Sequence, residues 1–166
     1  KYTLEEKAAP KGYRLPENPI WELTIGNDGK ATVKTETEES LLSVSDDGYT
    51  VTVVNEPVGS LAISKTVSST FADHATKEFE FTVTLSDTGI TGFYGDMYFA
   101  DGVASFRLGH GESATATGLP AGIRYDVTET TGDYTMSSTG ETGVIVANTT
   151  VKAEFVNTKT LELGHL

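Results

Sequence analysis

Three polar residues in this chain stand where strand alternation calls for apolar ones. In a β-strand, residues i, i+2 and i+4 share a face. In Leu61-Ala62-Ile63-Ser64-Lys65-Thr66-Val67 the apolar face is Leu61, Ile63 and Val67, and Lys65 lies on it. Glu129 continues the face of Tyr125 and Val127, and Asn157 continues that of Val151, Ala153 and Phe155. A Lys, a Glu and an Asn therefore point toward a core from three strands. A lone buried charge is expensive, and burial makes an amine lose its proton and a carboxylate gain one. A neutral amine beside a side-chain amide is a nucleophile beside an electrophile. A protonated Glu can polarise the amide carbonyl, carry protons and help ammonia leave. The product would be a Lys–Asn isopeptide bond, formed once, with the protein as its own substrate. Two plainer readings stay open: a hydrogen-bonded Lys–Glu pair with Asn beside it, and strand-end residues that emerge into solvent.

Other constellations carry less chemistry. His74, His110 and His165 lack metal-ligand spacing and read as surface residues. Asn27-Asp28-Gly29 and Asp46-Asp47-Gly48 read as hairpin turns, because no calcium-ligand array follows them. Gly109-His110-Gly111-Glu112-Ser113 fails the spacing of a nucleophile elbow. No metal site and no cofactor are expected. The aromatic run Phe93, Tyr94, Met97, Tyr98 and Phe99 reads as a hairpin packed on the core. Its functional alternative is an exposed binding patch centred on Tyr94 and Tyr98. Trp21 shares a face with Leu23 and Ile25 and is expected in a core.

The elements that must position these residues are strands. Short alternating runs rich in Thr, Val, Phe and Tyr are broken by Gly, Asp and Asn about every eight to twelve residues, an all-β sandwich pattern. They include Tyr2–Glu6, Ile20–Ile25, Ala31–Thr35, Tyr49–Asn55, Leu61–Val67, Phe79–Leu85, Val103–Leu108, Tyr125–Glu129, Val144–Ala147 and Val151–Asn157. Residues 36–48 read as an exposed loop or polar edge. Pro57 and Gly59 are expected to end one strand, with the next beginning at Leu61. This divides the chain into a first unit, 1–58, a second unit, 59–160, and a tail, 161–166. The first unit holds only about four strands, thin for an independent sandwich. Its first strands are expected upstream of Lys1, in a longer protein.

Composition removes several functions. The net charge is −12, which repels phosphate backbones, so no nucleic-acid partner is expected. No apolar run reaches the roughly 18 residues of a membrane span. There is no cysteine, hence no disulfide, thiol nucleophile or Cys-based metal site.

Residues 1–13, Lys-Tyr-Thr-Leu-Glu-Glu-Lys-Ala-Ala-Pro-Lys-Gly-Tyr, resemble the E-box of Cna protein B-type domains, Tyr-x-Leu-x-Glu-x-x-Ala-Pro-x-Gly-Tyr. The resemblance places Glu6 at that family's catalytic Glu. It makes Val53-Val54-Asn55-Glu56-Pro57 the closing strand, with Asn55 as bond acceptor. Residues 60–160 are similar to the isopeptide-linkage domain of streptococcal-type pilins. The similarity runs through Ile63-Ser64-Lys65-Thr66-Val67, Phe79-Glu80-Phe81-Thr82-Val83, Leu119-Pro120-Ala121-Gly122, Tyr125-Asp126-Val127-Thr128-Glu129 and Phe155-Val156-Asn157-Thr158-Lys159. It implies Lys65 as bond donor, Glu129 as catalyst and Asn157 as acceptor, the three residues that parity selects independently.

The resemblance implies tandem immunoglobulin-like β-sandwiches, the first incomplete at its N-terminus. It implies a structural stalk or backbone segment of a Gram-positive surface protein or pilus, extracellular and attached to the cell wall. Its partners would be neighbouring domains or subunits, and it would be no enzyme beyond one autocatalytic turnover. The alternative is an adhesin module that binds a host protein or glycan. One departure matters. The family's reactive Lys sits on a first strand upstream of the E-box. Lys1 is out of phase with Glu6, and Lys7, Lys11, Lys30 and Lys34 hold no first-strand position. The lysine partner of Asn55 is therefore expected outside this chain.

Overall fold

The computed structural model describes residues 1–33 and 41–160. The ends of the Ala31–Thr35 run and of the 36–48 loop that fall within 34–40 lie outside the described residues. So do the tail and His165. The chain divides into two compact units, the first Lys1–Pro57 and the second beginning at Val58.

The first unit has short strands: β1 (Tyr2–Glu5), β2 (Tyr13–Arg14), β3 (Ile20–Ile25), β4 (Ala31–Val33), β5 (Leu42–Val44) and β6 (Val51–Val53). β1, β3 and β4 form an antiparallel sheet, and β5 pairs with β6. Among the described residues this unit buries Ala31 and Leu42, while Tyr2, Ile20, Ile25 and Tyr49 are exposed. Trp21 and Leu23 are half-buried rather than core. The face they share is only partly covered.

The next strand departs from the expected punctuation. β7 (Glu56–Ser69) runs unbroken through Pro57 and Gly59. Pro57 sits near the start of the strand, where a missing N–H is tolerated, and stands opposite Tyr13 of β2. Gly59 is needed for close approach, since a Cβ there would run into the Val146 carbonyl. Both residues signal a break when read locally, but here each meets a specific neighbour.

The second unit continues through a short 3₁₀ turn (Ala72–Ala75) to β8 (Phe79–Leu85), β9 (Gly92–Tyr94), β10 (Met97–Phe99), β11 (Val103–Leu108), β12 (Ser113–Pro120), β13 (Arg124–Thr130), β14 (Thr135–Thr139), β15 (Thr142–Val144) and β16 (Thr150–Lys159). One sheet has the order β11-β8-β13-β15, the other β12-β7-β16-β14. Asp101 and Gly102 join β10 to β11 with positive φ at both residues (51° and 78°), the primed turn that suits strand twist. The two inner faces meet in one core. Leu61, Ile63, Val67, Ala153 and Phe155 come from one sheet, and Phe79, Phe81, Val83, Tyr125 and Val127 from the other. Phe81 and Phe155 touch edge to face across it, with centroids 5.2 Å apart. β7 and β16, the first and last strands of the unit, pair in parallel.

Candidate functional site

The parallel pair brings two of the parity residues together. Lys65 stands opposite Phe155 and Asn157 opposite Val67, so Lys65 and Asn157 are diagonal neighbours on one face. Glu129 comes from the other sheet, where it stands opposite Phe81. It reaches both. Lys65 Nζ lies 2.7 Å from Glu129 Oε1, and Asn157 Nδ2 donates to the same oxygen at 2.5 Å. Lys65 is 1% exposed and Asn157 0%, and the Glu129 side chain is fully enclosed. The Lys65 ammonium also faces the Phe79 ring at 4.4 Å from its centroid, with Phe81 at 5.9 Å. Three strands thus bring an amine and an amide onto one carboxyl oxygen, with aromatic rings over the amine. The reading in which these residues emerge into solvent does not hold.

Backbone contacts fix the strand that carries Lys65. Lys65 N–H donates to the Glu112 carbonyl at 3.0 Å, and Gly111 N–H donates to the Lys65 carbonyl at 2.9 Å. Val67 N–H donates to His110 Nδ1 at 3.0 Å. The segment 109–112 holds the strand beside the site. His110 therefore has a structural partner that its sequence neighbourhood does not reveal.

Burial pushes the Lys65 amine below its ordinary value, and the Glu129 carboxyl pulls it partly back up. Glu129 Oε2 and Asn157 Oδ1 are buried without a hydrogen-bond partner. Such atoms are costly in a core. Here the unpaired oxygens belong to the two groups that would exchange protons in amide transfer.

The first unit holds a second Glu–Asn pair. Glu6 follows β1, and its N–H donates to the Pro19 carbonyl at 2.9 Å. Asn55 follows β6, and its Nδ2 donates to Glu6 Oε1 at 2.9 Å. Glu6 Oε2 and Asn55 Oδ1 are again buried and unpartnered. Two lysines of this unit form other ion pairs: Lys1 with Glu22 at 3.8 Å and Lys7 with Glu5 at 2.6 Å. Lys30 lies over the Tyr49 ring. Among the described residues, no ion pair joins a lysine to Glu6.

The aromatic run splits. Met97 and Phe99 are core, and Tyr94 is half-buried with its ring edge-on to Phe99 at 5.9 Å. Tyr94 therefore does not form an exposed patch with Tyr98. The exposed pair is Phe93 (80%) with Tyr98 (52%), their rings 5.0 Å apart. They stand opposite each other across the β9–β10 hairpin, whose alternation turns them out and Met97 and Phe99 in.

Among the described residues, no three metal-ligating side chains cluster, and no helix is long and apolar enough to cross a membrane. The Asp28 and Asp47 carboxylates accept backbone N–H groups two residues on, as turn residues do.

The layered antiparallel sheets with one parallel closing pair define an immunoglobulin-like β-sandwich of the pilin type. Solved structures share this fold. One is a pilus-presented adhesin, Spy0125 (Cpa), 23% identical with a TM-score of 0.53, the match covering 88% of this chain and 38% of that one. Another is the major pilin from Streptococcus pyogenes, 18% identical with a TM-score of 0.50, covering 86% and 61%. The chain belongs to the DUF7601 family, a domain of unknown function, whose model matches residues 59–159. A curated relative, the pilus tip adhesin Cpa of Streptococcus pyogenes, is 43% identical over 89 residues. That match covers 49% of this chain and 13% of the relative.

Proposed function

We propose that this chain is a structural stalk or backbone segment of a Gram-positive surface protein or pilus, extracellular, stapled by an autocatalytic Lys65–Asn157 isopeptide bond. Residues 59–160 act as the isopeptide-linkage domain, and 1–58 as part of a Cna B-type domain. The observation that carries this reading is the enclosed contact of Lys65, Glu129 and Asn157 across the first and last strands of the sandwich. Homology to a pilus adhesin supports the setting.

The chemistry balances. The Lys65 ammonium gives a proton to Glu129. The neutral amine attacks Asn157 Cγ, and Glu129 returns its proton to the departing Nδ2. The C–N bond to that nitrogen breaks and ammonia leaves. The attacking nitrogen, now an amide, passes its surplus proton to Glu129. The acid ends protonated and able to donate to the new amide carbonyl, which pairs the oxygens that are now orphaned. Burial favours the neutral Lys65 amine that makes the attack.

The bond would close a loop of roughly 90 residues, worth about 4–5 kcal/mol by the loop-closure arithmetic used for disulfides. Tension entering β7 and leaving β16 would pass through the crosslink, and no reductant could open it. The orphaned oxygens of Glu6 and Asn55 support the same chemistry in the first unit, with a lysine supplied by another segment. Intact mass tests the main proposal: the purified chain should weigh one ammonia less than its sequence. A mass equal to the plain sequence refutes it.

The exposed Phe93–Tyr98 pair favours a second role, a contact surface for a host protein or glycan on the same scaffold. Loss of binding in a host-ligand screen on replacing both by Ala would establish it. Unchanged binding would remove it.

A further inference from the structure

One buried side chain that the reaction above does not use stands over the site. Tyr134 lies between β13 and β14. Along β14, Met136 stands opposite Asn157 and Thr135 opposite Thr158. Tyr134 is therefore one residue beyond the ladder, beside the end of β16 that carries Lys159. It is 6% exposed. Its ring meets Phe79 edge to face, with centroids 5.2 Å apart at 89°. The Phe79 ring in turn faces Lys65 Nζ at 4.4 Å. Tyr134, Phe79 and the Lys65 amine form one continuous stack.

The far side of Tyr134 is clasped by charge. Lys77 Nζ lies 4.8 Å and Lys159 Nζ 5.3 Å from its ring centroid. Asp133 bridges the two, with Lys159 at 2.5 Å and Lys77 at 3.8 Å. The side chain of Asp133 is mostly solvent-exposed, so the stack spans from water to the reacting amine. The Tyr134 hydroxyl is buried and makes no hydrogen bond. It adds no bond to the fold, so the ring is the part that acts here.

We propose that Tyr134, held by the Lys77–Asp133–Lys159 bridge, is a positioning residue that seals this end of the sandwich and keeps Lys65 dry enough to react. The inference rests on the crosslinking reading. A wetter site would solvate the ammonium and withdraw the neutral amine. The rate falls about tenfold for each unit by which the amine's proton affinity is restored.

The test follows ammonia loss by intact mass, over time and at several pH values, in the full chain freshly synthesised in vitro. Tyr134→Ala is expected to crosslink at least tenfold more slowly than wild type at neutral pH. The deficit should narrow as the pH approaches 10.5, where an unperturbed lysine neutralises itself. Tyr134→Phe keeps the ring and should match wild type. Asp133→Ala, an exposed change that leaves the core filled, should show a smaller deficit with the same pH dependence. It carries the test if Tyr134→Ala does not fold. Rates equal to wild type in the Ala variants, a deficit constant across pH, or a Tyr134→Phe variant as slow as Tyr134→Ala overturns the proposal. A wild-type chain that never loses ammonia is a different result. It refutes the crosslinking reading and takes this inference with it.

Discussion

The two Glu–Asn pairs of this chain differ in one partner and in their surroundings. In the second unit, Glu129 bridges Asn157 and a buried ammonium, with aromatic rings on the amine. In the first, Glu6 and Asn55 hold each other at 2.9 Å, and each keeps an orphaned buried oxygen. The second unit surrounds its pair with a core drawn from two sheets. The first buries Ala31 and Leu42 while Tyr2 and Ile20 stay exposed. The rings that face the Lys65 amine, Phe79 and Phe81, come from β8 of the facing sheet and not from the strand that carries the lysine.

The largest effect that would sharpen this contrast is Glu129→Ala against Glu6→Ala. Glu129→Ala should restore the full sequence mass and leave Lys65 buried without a counter-charge, costing about 3–5 kcal/mol in addition to the lost staple. Glu6→Ala should leave the mass of this chain unchanged and lower stability far less. Denaturant unfolding with intact mass reads both. Equal effects would break the comparison.

Next is Asn157→Ala, which removes the acceptor but keeps the Lys65–Glu129 pair. It should lose the staple, about 4–5 kcal/mol. Its stability should also gain a pH dependence. Lys65 titrates lower in the fold than its ordinary 10.5. Between those two values the unfolded chain holds a proton that the folded chain lacks. Stability should therefore rise with pH across that window and level off above 10.5. A flat profile in pH-resolved unfolding would show that burial does not disfavour the charged amine.

The smallest expected effect is at the exposed aromatic pair. Phe93→Ala with Tyr98→Ala should change thermal stability by only about 0.5 kcal/mol or less per site, as exposed positions do. The crosslink should remain. A large loss would place the hairpin among the supports of the core rather than on a free surface.

Much of this was legible in the residues. Period-two alternation marked Phe79–Leu85 and Val103–Leu108 to the residue. Parity put Lys65, Glu129 and Asn157 on the inner face because a strand offers each side chain only two directions. The misreadings came where a local signal met a distant neighbour. Pro57 and Gly59 looked like breakers, yet the strand runs on past Tyr13 and the Val146 carbonyl. Tyr94 looked equivalent to Tyr98, but they stand on different strands of a hairpin, and only one turns outward. Thr135–Thr139 has little apolar alternation. It becomes a strand by pairing with β16. Tyr134 gave no sequence signal of a role, because that role depends on Phe79, Lys77 and Lys159 converging on it.

By itself the sequence determined the all-β class, the inward direction of Lys65, Glu129 and Asn157 and the absence of thiol chemistry. These are consequences of alternation and composition, which are local. Only the tertiary structure decided that β7 and β16 run parallel in a register that sets Lys65 diagonal to Asn157, and that Glu129 crosses from the facing sheet to touch both. Strand order and register come from how whole sheets bury their faces against each other, which no single segment encodes.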